Sequence, residues 1–462
     1  MPERYSLHTE PWHSASMIWT NWARTASATP VRQVRPATEE ELSDAVRQAV
    51  RDGLTVRPVG AGHSFSAAAA TDGVQVDLER LTALHRVERD PATGNALVTV
   101  GAGIRLHQLN RLLAERGLAM QNLGDIDRQS IAGAVSTGTH GTGARFGGLA
   151  TRVRALTVVG ADGEVRHCSP TENADLFEAS RLGLGTTGVL STVTVEAVPA
   201  FDLRATEDVQ PLDHVLGHLD QLVDEADHFE FFWFPTARRV QTLTNTRVAP
   251  RAEHGRPARA GRRVLGAAGA VRTFVHEEVL SNAGLELVNR TATAFPATTP
   301  TLNRFAAQAL RPRTYTAPSH EVLCNPRRVR FRETEYAVPR AVVVDVLREL
   351  DGWLRRTGEN VPFPLEIRFA PAEDVWLSTA HGRETAYVAV QQYWRLPYGR
   401  YFDAAEQIFG AVGGRPHWGK MHTRDAGYLA GQYPRFEDFR RTRDAADPDR
   451  VFSNAYTRRV LG

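Results

Sequence analysis

Cysteine is nearly missing from this 462-residue sequence: Cys168 and Cys324 are the only two. They are too few for a disulfide framework and lack the C-x-x-C spacing of a thiol-redox or zinc motif, so a reducing compartment is expected. Uninterrupted apolar runs are short as well, and none approaches the roughly 18 residues that a membrane-spanning helix requires. The N-terminal residues, with Trp12, His13, Trp19 and Trp22 among polar side chains, lack the basic start and apolar core of a secretion signal. Together these absences predict a soluble, cytoplasmic chain with no membrane span. Net charge is low, +2, without the basic footprint that phosphate neutralisation leaves, so no nucleic-acid partner is expected. Lysine is scarcest of all. Of the 55 basic residues one is a lysine, Lys420, and its survival against so strong an arginine bias suggests that a compact ammonium is needed there.

What is present is ordinary in bulk. Hydrophobic content of 42% and charged content of 23% are those of a globular chain, long enough for two to three domains or one domain with an inserted lobe. Spacing predicts a helix over 39–53, apolar at Leu42, Ala45, Val46 and Val50, running into a short strand over 55–59. Strands are expected at 74–78, 97–100, 156–159 and 190–198, with a helix over 104–116. This first block reads as α+β. Beyond residue 200 the pattern predicts helices over 209–224, 341–356 and 436–446, and strands over 228–234, 365–369 and 387–392. The arginine- and glycine-rich stretch 247–263 has no apolar period and reads as a loop.

Glycine is where chemistry enters. Gly60-Ala61-Gly62 follows a strand and invites a dinucleotide fingerprint, with Asp77 downstream. Phe65 stands where the third glycine is needed, and 67–73 is too short for a crossover helix, so a nicotinamide site is excluded. What remains is a turn whose amides can approach phosphate, followed by His63 and Ser64. A second patch, 130–143, is crowded with small and hydroxylated residues, and a third spans 183–189. Three such patches in one block, each close to a strand, point to one shared dinucleotide ligand.

Four motifs occur in order: Val59-Gly60-Ala61-Gly62-His63-Ser64; Asn122-Leu123-Gly124 with Ser130-Ile131-Ala132-Gly133; Thr137-Gly138-Thr139-His140-Gly141-Thr142-Gly143; and His417-Trp418-Gly419-Lys420. In these the sequence resembles the FAD-dependent aldonolactone oxidase and alditol oxidase family (D-arabinono-1,4-lactone oxidase and L-gulonolactone oxidase type), built on a vanillyl-alcohol-oxidase (PCMH-type) FAD-binding domain. The likeness covers nearly the whole chain. It implies an α+β fold with a two-subdomain FAD domain over 1–200, an inserted α+β cap built on an antiparallel sheet over 201–410, and a segment 411–462 returning to the FAD domain. It implies FAD contacts from Gly60, Ala61, Gly62, His63, Ser64, Asn122 and Gly124. Further contacts would come from Ser130, Gly133, Ser136, Thr137, Gly138, Thr139, His140 and Gly141, then Gly188 and Val189. His63 is implied to carry the flavin covalently through its 8α carbon. A neutral imidazole nitrogen is a competent nucleophile, and such a link holds the cofactor and generally raises its potential. A histidine that only hydrogen-bonds in the turn is the alternative.

On the substrate side, strand alternation puts Glu366 and Arg368 on one face. The resemblance implies that Glu366 grips substrate hydroxyls and that Arg368 supports negative charge on the reduced flavin. Lys420 would polarise the substrate oxygen or, with a burial-lowered pKa, ease loss of its proton. His417 and His422 have no third ligand at suitable spacing, so no metal is expected. His140 is read as structural, near the phosphates. Asp125, Gln391 and Tyr393 align with substrate contacts but depart from the alditol oxidase residues, leaving a sugar-derived lactone or polyol as the expected small-molecule substrate. Gly124 aligns where some dehydrogenases of the family carry alanine. A bare glycine there is read as leaving dioxygen a path, hence an oxidase that passes hydride from C–OH to flavin N5 and yields hydrogen peroxide. The alternatives are a dehydrogenase with another acceptor, a tailoring oxidase for a sugar or cyclitol, and a flavin-free binding protein. The joint presence of Glu366, Arg368 and Lys420 speaks against the last. Arg311, Arg313, Tyr315 and His320 are read as surface residues, and no oligomeric state is implied.

Overall fold

Along β11 (Val189–Pro199) the side chains of Val193, Val195 and Ala197 are buried while Thr192, Thr194 and Glu196 between them are half-exposed. That period of two builds a sheet with one face on a core and one toward solvent. The computed structural model in which it lies describes residues 18–249, 284–325 and 329–462. Trp12, His13 and the 250–263 part of the arginine-rich stretch lie outside the described residues. A ribbon of β1 (Trp19–Thr20) and β2 (Ser27–Ala28) opens the described chain. A parallel three-stranded sheet follows, β3 (Arg32–Val34), β4 (Val56–Val59) and β5 (Val74–Asp77) in the order β3-β5-β4. Helix α1 (Glu39–Arg51) crosses between β3 and β4, capped by Thr38, which accepts the Glu41 N–H, and burying Leu42, Ala45, Val46 and Ala49.

The antiparallel sheet that holds β11 adds β6 (Leu84–Arg89), β7 (Ala96–Gly101), β8 (Leu118–Ala119), β9 (Val153–Val159) and β10 (Val165–Cys168). Its order is β10-β9-β11-β7-β6, with β8 on the end of β11. Both sheets share one core, in which Val74, Val76, Val98, Val100, Leu156 and Val193 are packed.

A larger antiparallel sheet comprises β12 (Asp202–Pro211), β13 (His228–Trp233), β14 (Arg239–Val248), β15 (Arg313–Pro318), β16 (Phe331–Pro339), β17 (Leu365–Ala370), β18 (Thr385–Tyr393) and β19 (Arg415–Pro416). The order is β15-β12-β14-β13-β17-β18-β16-β19. Strand alternation decides what each face does. Phe231, Trp233, Tyr336, Val338, Leu365, Ile367, Val388 and Val390 form one face with the helices Val343–Thr357 and Gly399–Ala411. Each fully buried side chain of that kind contributes roughly 1.5–3 kcal/mol. The opposite face carries Glu230, Glu333, Glu335, Glu366, Arg368 and Gln391, all buried or half-buried. So many polar side chains on one sheet face mark it as the functional one.

Two sequence expectations are corrected here. Val209–Pro211 end β12 rather than start a helix, because pairing with Arg239–Gln241 of β14 satisfies their backbone; the helix begins at Leu212. The 104–116 helix is shorter, Leu106–Ala114. The last residues return to the first sheet: the Val56 N–H donates to Val451 O at 2.8 Å, and Asn454 Nδ2 donates to the carbonyls of Ala67, Ala68 and Ala70 at 2.9, 3.1 and 2.8 Å.

Candidate active site

Where β4 ends, the chain turns through Gly60-Ala61-Gly62 and meets the loop that opens the helix Ile131–Ser136. A Cβ on Gly60 would lie 2.1 Å from Ser130 Oγ, so only glycine permits this approach of two loops. Ser130 caps this helix by accepting the Gly133 N–H at 3.2 Å. Between these loops runs a cleft lined by Gly60, Ala61, Gly62, His63 and Ser64 on one side and by Ser130, Gly133, Ser136, Thr137 and Gly188 on the other. Sequence reasoning missed Trp19, Arg57 and Gln129, which also line it. Arg57 is buried and gives its N–H groups to backbone carbonyls: Ala68 O at 2.9 Å, Leu184 O at 2.7 Å, Gly185 O at 3.1 Å, and Phe452 O. Burial draws its pKa down to about 10, against the pull of Asp447, and leaves it a cation.

A second cleft adjoins the first, and His63, Ser64, Gln129 and Thr137 line both. His63 Nδ1 is buried with no hydrogen-bond partner among the described residues. Burial, aided by Arg105 and Arg128, lowers its pKa to about 4, so the imidazole is neutral at pH 7. An orphaned neutral nitrogen at the junction of two clefts suits a ligand that spans both.

The second cleft is floored by the polar sheet face. β17 supplies Glu366 and Arg368, β18 supplies Gln391, and β16 supplies Glu333 and Glu335; Lys420 and His417 come from the loop after β19. Arg368 is gripped on two sides, by Glu230 Oε2 at 2.7 Å and by Glu366. Burial, the largest influence on it, is outweighed by these carboxylates, and its pKa rises. Glu230 was not foreseen; burial raises its carboxyl above the usual range, against the pull of Arg368. Lys420 is bonded to Glu333 and lies 3.6 Å from Glu335 Oε2. A burial-lowered pKa for Lys420 is therefore corrected. Burial does press it down, but Glu333, Glu335 and Glu366 raise it further, and it remains an ammonium.

His140 is also relocated. It lies at the Lys420 end rather than beside the glycine turn, stacked on Tyr387 with centroids 3.5 Å apart. Its Nε2 is 2.6 Å from Glu335 Oε1 and its Nδ1 is 2.9 Å from Gly141 O. Spacing did not reveal that His140 and Glu335 come together with His417, their donor atoms within 4.8 Å. Hydrogen bonds of the protein occupy this group: Glu335 is bonded to His140, and His417 Nδ1 accepts the Gly419 N–H at 3.0 Å.

Other expected contacts fall outside both clefts. Tyr393 sends its hydroxyl to Glu286 Oε1 at 2.8 Å and packs with Phe331 and Phe363, because the end of β18 runs past the cleft. Asn122 braces a wall, donating to Phe146 O at 3.3 Å and accepting the Leu123 N–H at 3.0 Å. Gly138, Gly141 and Val189 likewise build the walls; a Cβ on Gly141 would lie 2.3 Å from Asn122 Oδ1. Arg311 and Arg313 are exposed, while Tyr315 and His320 are half-buried away from the clefts. Thr139, Gly124 and Asp125 do line the second cleft. Asp125 is tied to Asn325, whose N–H reaches its carbonyl at 2.8 Å and whose Nδ2 reaches Oδ1 at 3.1 Å. A Cβ on Gly124 would stand 2.9 Å from Thr139 Cγ2 and 3.0 Å from His140 O, so close backbone approach requires glycine there.

Comparison with known proteins agrees with this layout. A family model described as D-arabinono-1,4-lactone oxidase matches residues 193–460, and one described as FAD binding domain matches residues 30–169. An L-gulono-1,4-lactone dehydrogenase of Mycobacterium tuberculosis is 42% identical over 97% of this chain and 100% of its own length. The L-gulonolactone oxidase of Bos taurus is 32% identical over 96% of this chain and 97% of its own. A crystal structure of cholesterol oxidase from B. sterolicum superimposes with a TM-score of 0.76 over 100% of both chains at 17% identity, a likeness of fold. Among the described residues no helix is long and apolar enough to cross a membrane.

Proposed function

The chain belongs to the D-arabinono-1,4-lactone oxidase family of FAD-dependent oxidoreductases, and from that premise we propose that it oxidises a C–OH group of a sugar-derived lactone in the second cleft. FAD would be held by the residues of the first cleft, with His63, Ser64, Gln129 and Thr137, which line both clefts, beside its reacting end. In this reading residues 1–200 hold the cofactor, 201–410 form the cap over the substrate, and 411–462 return Lys420 to the reaction site. The observation that carries it is the convergence of Glu366, Arg368, Gln391, Asp125 and Lys420 in one cleft that shares His63 with the glycine-lined one.

Bound FAD would supply the hydride acceptor, with dioxygen as the final acceptor of the electrons. The side chains do the rest. Glu366 and Asp125 accept hydrogen bonds from substrate hydroxyls, and Lys420 polarises the oxygen to be oxidised. Arg368, fixed by Glu230 and Glu366, stands ready where negative charge develops, a preorganised cation in a buried site. His63 would hold the cofactor covalently through Nδ1, which has no hydrogen-bond partner among the described residues. Neutrality of that ring supports the bond, since only the unprotonated nitrogen is a nucleophile.

A dehydrogenase reading has one specific support, the 42% identical relative that bears that name. Purified protein is to be mixed anaerobically with L-gulono- and D-arabinono-1,4-lactone and then exposed to air. Bleaching of the flavin followed by fast reoxidation with peroxide release fits an oxidase. Bleaching with slow reoxidation assigns another acceptor, and no bleaching overturns the lactone reading. Acid precipitation tests the link to His63: colour in the pellet supports it, and a yellow supernatant over a white pellet removes it.

A further inference from the structure

Glu333 has no part in the reaction so far, yet it lines the second cleft. In β16 it pairs with Gln391 of β18, which places it two strands from Glu366 on the same sheet face. The Gln391 amide stands between the two carboxylates, 3.4 Å from Glu333 Oε1 and 3.4 Å from Glu366 Oε2. Thr334, between Glu333 and Glu335, points the other way, into a separate cavity of about 500 Å³.

Each neighbouring group is committed elsewhere. Glu366 is bound to Arg368, and Glu230 stands beside the same guanidinium. Glu335 is bonded to His140, and its carboxyl is held well below the usual range despite burial by His140 and Lys420. His417 is buried and neutral with Nδ1 occupied by the Gly419 N–H. Lys420 is kept protonated and has no lone pair to offer. Glu333 touches Lys420 and the Gln391 amide, and burial lifts its carboxyl above the usual range although Lys420 opposes this. A carboxylate so placed is a better base than an ordinary one.

Resting on the lactone-oxidising reading above, we propose that Glu333 is a further catalytic residue, the group that takes the proton of the substrate hydroxyl. In that step the substrate O–H bond breaks and an O–H bond forms on the Glu333 carboxylate. The electron pair of the adjacent C–H bond leaves as hydride to the flavin, and the C–O bond becomes C=O. Lys420 stays an ammonium throughout and holds the carboxylate toward the cleft. Between turnovers Glu333 returns its proton to solvent.

Two measurements test this. The first is the pH profile of anaerobic flavin reduction by a lactone in wild type and Glu333→Gln. The expected result is a rate lower by about 10²–10⁴-fold and loss of the acid limb, the usual scale for removing a general base; Glu333→Asp recovers the limb and part of the rate. The second uses the single lysine. Protein grown on lysine labelled with ¹³C at Cε gives one side-chain signal, and its titration needs no turnover. Lys420 should titrate at lower pH in Glu333→Gln than in wild type, as loss of a buried carboxylate partner requires. Reduction of Glu333→Gln within threefold of wild type, with the same profile, overturns the proposal while the lactone reading stands. Wild-type protein that no lactone reduces overturns the lactone reading and the proposal with it. Should Glu333→Gln fail to fold, Glu333→Asp carries the test: slower reduction with the limb kept supports the assignment, and an unchanged rate overturns it.

Discussion

Arg368 donates its Nε–H to Glu230 at 2.7 Å, across the pair of strands β13 and β17 in which Phe231 faces Ile367. The guanidinium is thereby held by a carboxylate behind it as well as by Glu366 beside it. Replacing Glu230 with Gln keeps the shape and removes the charge. Flavin reduction in stopped flow is expected to slow by about 10- to 100-fold, the range for a lost charge-assisted contact of roughly 1.5–3 kcal/mol. An unchanged rate would mean that Glu366 alone fixes Arg368.

Acid sensitivity of the flavin-free protein follows from His63. Its folded pKa of about 4 lies below the ordinary value of 6.5. Its contribution to stability is therefore complete above about pH 6.5 and is lost as pH falls through 4, with a slope of up to about 1.4 kcal/mol per pH unit. Buried His228, also lowered to about 4, acts in the same direction. Urea unfolding between pH 7.5 and 4.5 should show a shallower loss for His63→Asn than for the parent. Equal slopes would place the His63 pKa near its unfolded value.

Gly124→Ala separates two uses of a bare glycine. The added methyl would meet Thr139 Cγ2 and His140 O at 2.9 and 3.0 Å. Overpacking of this kind destabilises by about 1–3 kcal/mol. A lower Tm and equal slowing with dioxygen and with a dye acceptor are expected. A loss confined to dioxygen would instead assign the glycine to an oxygen path.

Arg57→Met leaves the carbonyls of Leu184, Gly185 and Phe452 without their donor, while Ala68 keeps Asn454. At about 1–3 kcal/mol for each unsatisfied group, thermal unfolding should move down by many degrees. Calorimetry reads the effect. A Tm within two degrees of the parent would mean that water replaces the guanidinium without loss.

Local constraints were legible in the sequence and long-range pairing was not. The turn at Gly60-Ala61-Gly62 was legible because a backbone that needs close approach needs glycine wherever it sits. Glu366 and Arg368 read correctly because alternation is a property of one strand. Glu230 and Glu333 sit in strands whose alternate residues are core aromatics and aliphatics, and nothing local says which strand lies beside Arg368 or Lys420. The lysine's pKa was misjudged for the same reason: its partner lies 87 positions upstream. Tyr393 shares a face with Gln391 by spacing, but spacing does not show where a strand outruns its cleft.

The bonds from Val451, Phe452 and Asn454 to the segment around β4 and the His63 turn bear on how the protein is made. Domains commonly fold from the N-terminus while synthesis proceeds. Here the carbonyls of Ala67, Ala68 and Ala70 lack the Asn454 amide until residues more than 380 positions later have left the ribosome. A nascent chain that has completed its first two sheets still lacks the closure that Asn454 supplies. Retention of the flavin is therefore expected to follow synthesis of the segment that carries Asn454.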